Sequence, residues 1–277
     1  VGKNFVLRFF DLTYKICPIA SLMDKLPNRL KQMNWSKTMG RDMSKKKILV
    51  TGANGFIGRN LVMYLSSLGH TVVSAVRVID DQFKNCPSGT LIEMGSISSS
   101  TDWSAALKGV DCVVHLAARA HKIGERRCPE SKHAYFEINN KATLNLANQA
   151  IIANVEKFVF ASSIGVLGES SLDGKLSNNS MLNPKNIYSQ SKADAEIELK
   201  KLAKTTGTQI VILRLPLIYG AGAPGNFARL VGLVAKTPIL PFGRFCNPKS
   251  MMAIENFCDL VSHVSLLNKN ISGDYVL

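Results

Sequence analysis

"KKILVTGANGFIGRNLVMYLSSLG", residues 46–69, sets the architecture of this chain. Its opening, through Val50, is a short apolar run rich in β-branched residues and reads as a buried strand. From Phe56 onward the stretch reads as a helix. Between them stand Gly52, Gly55 and Gly58, and each glycine has a physical use. The first permits a tight turn, the second lets backbone N–H groups approach a pyrophosphate, and the third lets the helix pack on the strand. A helix N-terminus adds unpaired donors and partial positive charge. Strand, glycine turn and helix in that order predict a dinucleotide-binding turn.

The same rhythm continues along the chain. "HTVVSAVR", "TLIEMG", "VDCVVHLAA", "KFVFASS" and "TQIVILRL" are further candidate strands. Helical patterns lie around Trp103 to Leu107, over "SKHAYFEINNKATLNLANQAIIA" and over "NIYSQSKADAEIELKKLAK". Apolar strands separated by helices indicate a parallel sheet covered on both faces. The expected fold is α/β, a doubly wound Rossmann-type sheet. After Leu215, "PLIYGAGAPGNF" reads as a loop, followed by helical patterns at 227–235 and 255–268 and by "GDYVL" as the start of a strand. Residues 43–215 are expected to form the dinucleotide-binding domain, and 216–277 part of a small substrate-binding cap.

Composition narrows the function classes less than the motifs do. Of 277 residues, 46% are hydrophobic and 19% charged, ordinary for a globular chain, and no apolar run reaches the length of a membrane span. The net charge of +14 comes from dispersed cations without interleaved aromatics, so no nucleic-acid groove is expected; an anionic small molecule suits the charge. Six cysteines lack metal or disulfide spacing, which fits a reducing, cytoplasmic setting and no metal. The first 42 residues, beginning at Val1, lack this strand rhythm and are expected to be an extraneous leader, with a transit peptide as the alternative.

Several motifs in order make the chain resemble the extended short-chain dehydrogenase/reductase superfamily, in its NAD-dependent epimerase/dehydratase branch, close to UDP-glucose 4-epimerase-like enzymes. They are the glycine turn at 51–58, "HLAA" at 115–118, Asn139 in "FEINNKATLNL", "FASSIGVLG" at 160–168, Tyr188 with Lys192, and "RLPLIYG" at 214–220. The resemblance implies a catalytic group of Ser163, Tyr188 and Lys192, with Ser162 as the rival hydroxyl. Tyr188 and Lys192 are four apart, on one helical face. A phenol titrates near 10, and a neighbouring ammonium is expected to lower it toward the range of general acid/base catalysis. In the family this lysine also holds the nicotinamide ribose.

For the cofactor, NAD or NADP, the resemblance implies contacts from Gly52, Asn54, Gly55, Phe56, Ile57 and Gly58. It adds Ser96 and Ile97 beside the adenine, Leu116, Ala117 and Ala118 on the nicotinamide side, and Tyr188 and Lys192. The second strand lacks the acidic residue that grips the ribose of NAD; Val76 stands there and Arg77 follows, which favours a 2′-phosphate, with Arg59 as a second cation. Arg77 stacked on adenine or facing solvent is the alternative. The substrate implied is a nucleotide-diphosphate sugar, a UDP-sugar, contacted by Ser163, Tyr188, Asn226 and Lys249. His115 is expected to be a packed strand-end histidine and Asn139 a helix-to-strand brace.

Three functions follow as expectations. The first is 4-epimerisation by hydride transfer at the sugar C4. The second is NADPH-dependent reduction of a 4-keto-6-deoxy-sugar nucleotide. The third is a non-catalytic dinucleotide-binding regulator. A homodimer is compatible with each. Family members continue past a strand such as "GDYVL", so part of the cap is expected to be missing from this chain.

Overall fold

The computed structural model describes residues 45–84, 89–120, 129–169, 176–236 and 249–277; the expected leader lies outside them. The first strand, β1 (Lys47–Thr51), leads through the glycine turn into α1 (Phe56–Ser67) and then β2 (Thr71–Val76). Next come the short α2 (Asp81–Lys84), β3 (Thr90–Glu93), α3 (Ser104–Leu107) and β4 (Cys112–His115). A long helical stretch follows in three pieces: α4 (Pro129–Phe136), a π-helical turn over Glu137–Lys141, and α5 (Ala142–Ile152). Then β5 (Lys157–Ser163) runs into a 3-10 turn over Ile164–Leu167, and α6 (Ile187–Leu202) precedes β6 (Gln209–Leu215). The remaining elements are β7 (Leu217–Tyr219), α7 (Asn226–Lys236), β8 (Met251–Ala253), α8 (Ile254–Leu266) and β9 (Gly273–Val276).

Among the described residues seven strands form one sheet in the order β3-β2-β1-β4-β5-β6-β9, with every pairing parallel. Strand alternation feeds two cores, one on each face. Ile48, Val50, Val114 and Val211 pack with Leu61, Leu65 and Phe257 from α1 and α8. Leu49, Val113, Phe158 and Phe160 pack with Leu146 of α5 and Leu199 of α6. Because both faces are covered, the strands read as continuous apolar runs. The expected α/β doubly wound sheet is therefore the fold, and the reversal of strand order between β1 and β4 opens a crevice at the carboxyl edge.

One local expectation needs correction. "PLIYGAGAPGNF" is not all loop: Leu217–Tyr219 pairs in parallel with Met251–Ala253 as a separate two-stranded sheet. Three residues are too short to show strand periodicity, and the partner lies more than thirty positions away. The long helical pattern is helical as expected, with a π turn at Glu137–Lys141 between its two α-helical pieces. Of the stretch expected as a cap, residues 249–277 belong to the same compact unit as Lys45–Pro224, with β9 joining the main sheet beside β6. Helix α7 belongs to a second unit.

Candidate active site

The crevice starts at the glycine turn. Gly52 has φ +65, and a Cβ there would sit 3.0 Å from the Ala117 backbone. A Cβ on Gly58 would come 2.3 Å from the Gly52 carbonyl oxygen, so only glycine lets α1 lie this close to β1. Helix α1 begins after Gly55 with no side-chain cap and no acidic residue in its first turn. Its N-terminal donors therefore stay available for an anion. Gly52, Gly55, Phe56, Ile57 and Gly58 line a cleft of about 390 Å³. Leu116 and Ala118 form its next wall, and Ser163, Tyr188 and Lys192 also line it. The residues present fit a dinucleotide: a glycine cradle with an uncapped helix end at one side, and hydroxyl, phenol and amine at the other.

Ser163 ends β5, and its hydroxyl accepts a hydrogen bond from Gly165 N at 3.1 Å as cap of the 3-10 turn. Its rival, Ser162, lines the same cleft but also has a partner behind it. Ser162 is 3% exposed and donates to Glu196 Oε1 at 2.5 Å. Helix α6 is capped by Asn186, whose Oδ1 accepts from Ser189 N at 2.9 Å. That cap sets Tyr188 in the first turn, half-buried against the cleft.

Lys192 is buried, with Nζ donating to the Ala161 carbonyl at 2.9 Å and standing 4.4 Å from the Phe160 ring centroid. Removal from water pushes its pKa down to about 7, opposed by the negative charge of Glu196. The Tyr188 phenol is instead pushed up to about 12, by burial first and by Tyr135 second. The expected lowering of Tyr188 by its lysine is absent here. One helical turn places the two on one face, but Nζ is tied to β5 and its burial disfavours the charge that would act on the phenol.

A buried network supports this helix face. Glu196, one turn beyond Lys192, accepts from Arg214 Nη2 at 2.8 Å and Nε at 3.1 Å. Arg214 Nη2 also meets Asp274 of β9 at 2.6 Å. On the other side, His115 is fully buried between Thr51 Oγ1 at 2.8 Å and Thr143 Oγ1 at 3.0 Å. Thr143 already donates to the Asn139 carbonyl, so it accepts from His115 Nε2–H, and Thr51 donates to Nδ1. Burial, with Lys192 as second cause, lowers the His115 pKa to about 3. Asn139 bonds both backbone groups of Arg119 and donates to Ser191 Oγ at 3.0 Å. It braces the loop after β4 against α6.

Other predicted residues stand away from the cleft lining. Asn54 donates to the Val78 carbonyl at 3.3 Å, and the Ala117 N–H is taken by Thr51 Oγ1 at 3.1 Å. Ser96 is exposed beyond β3, and Ile97 packs against the second core. Arg77 is exposed just past β2. Lys249 is exposed two residues before β8, and the side chain of Asn226 lies outside the described residues. Leu215, Pro216, Leu217 and Ile218 line the cleft without having been assigned there; the "RLPLIYG" motif was their signal. The network of Glu196, Arg214 and Asp274 had no sequence signal, because its members come from α6, β6 and β9.

Residues 48–239 match the NAD dependent epimerase/dehydratase family. The chain belongs to that family. It is 42% identical over 221 residues to a UDP-glucose 4-epimerase of Vibrio cholerae, covering 78% of this chain and 65% of the relative. A 3-beta-hydroxysteroid dehydrogenase of Mycolicibacterium neoaurum is 31% identical over 187 residues, covering 66% of this chain and 50% of the relative. The chain thus spans between half and 65% of the length of these curated relatives. A UDP-glucuronic acid 4-epimerase from Bacillus cereus, solved with UDP-glucuronic acid and NAD, superposes with a TM-score of 0.70 at 26% identity, over 83% of this chain and 76% of that one. Among the described residues no helix is long and apolar enough to cross a membrane.

Proposed function

We propose that this family member acts on a nucleotide-diphosphate sugar, exchanging the configuration at C4 with NAD or NADP in the cleft. The observation that carries the reading is the convergence of Ser163, Tyr188 and Lys192 on the cleft that begins at the uncapped end of α1. When bound, the dinucleotide supplies the hydride acceptor and donor. In this reading Tyr188 would first have to give up its own proton, then take that of the C4 hydroxyl and return it to the same oxygen, while the bound dinucleotide would hold the hydride in between. Ser163 hydrogen-bonds the same oxygen, and Lys192 holds the nicotinamide ribose. The match to UDP-sugar epimerases supports a UDP-sugar as substrate.

A second reading, reduction of a 4-keto-sugar nucleotide, is favoured by the phenol itself. With its pKa up at about 12, Tyr188 is fully protonated at neutral pH and ready to donate to a ketone oxygen. Incubation with UDP-hexoses, followed by product chromatography and by the absorbance of reduced cofactor, separates the readings. Interconversion of C4 epimers without net redox change supports the first. Stoichiometric loss of reduced cofactor with a 4-keto sugar supports the second. No turnover of either, with dinucleotide bound, leaves a binding protein.

A further inference from the structure

Phe160 and Ser162 stand two apart on β5 and turn the same way, toward α6. They meet residues one turn apart on that helix: Ser162 donates to Glu196, and Lys192 Nζ stands 4.4 Å from the Phe160 ring centroid. That is well inside the roughly 6 Å over which an aromatic face attracts a cation. The contact is dry, the ring being 0% and the lysine 1% exposed. Strand pairing fixes the ring from the side. His115 of β4 is its register partner, and the imidazole lies 6.0 Å from it, tilted by only 19°. Thr51 and Thr143 hold that imidazole at both nitrogens.

An ammonium carries three donors. One goes to the Ala161 carbonyl at 2.9 Å and the ring face takes a second, which leaves the third for the cleft that Lys192 lines. Of the titratable groups packed around the amine, Glu196 of α6 shares its charge with Arg214 of β6, burial holds His115 of β4 neutral, and Tyr188 keeps its proton. The negative face of Phe160 therefore adds support for positive charge in a site whose burial disfavours it. We propose that Phe160 is a positioning residue for Lys192: its ring face holds the amine in its charged form and leaves one N–H aimed at the cleft. The inference rests on the reading that Lys192 meets the nicotinamide ribose, and it adds a residue outside the cleft lining.

Stepwise fluorination of the ring tests this without turnover, because it drains the ring face while nearly keeping its shape. The full chain is made with mono-, di- and trifluorinated phenylalanine in place of Phe160 and with lysine isotope-labelled at Cε. Carbon NMR then reads the Lys192 titration, assigned by the signal missing from Lys192→Met, and calorimetry reads NAD⁺ affinity between about pH 6 and 9. The Lys192 midpoint is expected to fall with each fluorine, by about one pH unit in all, and NAD⁺ affinity near neutral pH to fall with it. A midpoint that stays put across the series overturns the inference and keeps the ribose reading; any loss of stability in Phe160→Leu is then packing alone. A falling midpoint with NAD⁺ affinity unmoved, even in Lys192→Met, keeps the ring's hold on the amine and overturns the ribose reading.

Discussion

Lys192 Nζ donates to the Ala161 carbonyl at 2.9 Å, tying the helix that carries Tyr188 to the strand that ends in Ser163. The bond is made by a buried amine whose pKa has fallen to about 7 from 10.5. Below about pH 7 the folded and unfolded chains both carry the proton, and the full desolvation penalty applies. Between about 7 and 10.5 the unfolded chain still holds the proton that the folded chain has released, so this residue adds stability as pH rises. Thermal melts of the protein and of Lys192→Met across that window are expected to diverge, with the parent gaining on the variant. Parallel curves count against the buried, neutralised amine.

Loss of the phenol tests the chemistry directly. Tyr188→Phe is expected to lower turnover by about 10²–10⁴ while dinucleotide affinity holds. Ser163→Ala removes one hydrogen bond to the same oxygen and is expected to cost roughly tenfold. Ser162→Ala, whose partner is Glu196, should act on stability instead. Steady-state rates and dinucleotide titrations on the three variants distinguish these effects.

The ion pair of Glu196 and Arg214 is buried, both side chains being at most 1% exposed. Removing one partner leaves a charge in the core. Glu196→Gln and Arg214→Met are each expected to lose about 3–5 kcal/mol in urea unfolding. Replacing both with apolar residues should cost less than the two single losses together, because no unpaired charge then remains between them.

Gly58 is set against backbone, and the atom it would strike cannot move aside. A Cβ there would also come 2.8 Å from the Ala53 Cα. Gly58→Ala is expected to destabilise the protein by about 1–3 kcal/mol and to weaken dinucleotide binding, since the turn must open to admit a methyl group. Unchanged melting and affinity would show that α1 does not rest on β1 this closely.

His115 supplies an acid limb. Its pKa falls from 6.5 to about 3 on folding, so the unfolded chain binds a proton in that window that the folded chain refuses. Stability is present above pH 6.5 and is lost by about 1.4 kcal/mol per pH unit as pH falls toward 3. His115→Gln should flatten that limb in denaturant titrations relative to the parent.

Much of this was legible in the chain as written. Continuous β-branched runs such as Ile48–Val50 and Ile210–Leu213 mark strands covered on both faces, and they occupy the two cores. The glycine spacing places the turn because backbone sterics act between neighbours in sequence. The positions of Ser163, Tyr188 and Lys192 at strand end and helix start follow from the same local rules. Less was legible after Leu215, where β7 and β8 are three residues each and derive their pairing from each other.

What local chemistry could not assign is protonation and partnership. Tyr188 and Lys192 are four apart on any helix, yet only the packed sheet shows the amine turned to Ala161 and the phenol pushed upward. Ser162 and Ser163 are adjacent and alike in sequence; they differ because Glu196, brought in from α6, claims one of them. Glu196 in turn meets Arg214 and Asp274 only after β6 and β9 have paired. Strand and helix identity rest on short-range sterics and periodic burial, whereas charge state rests on desolvation and on neighbours remote along the chain, which exist only once it has folded.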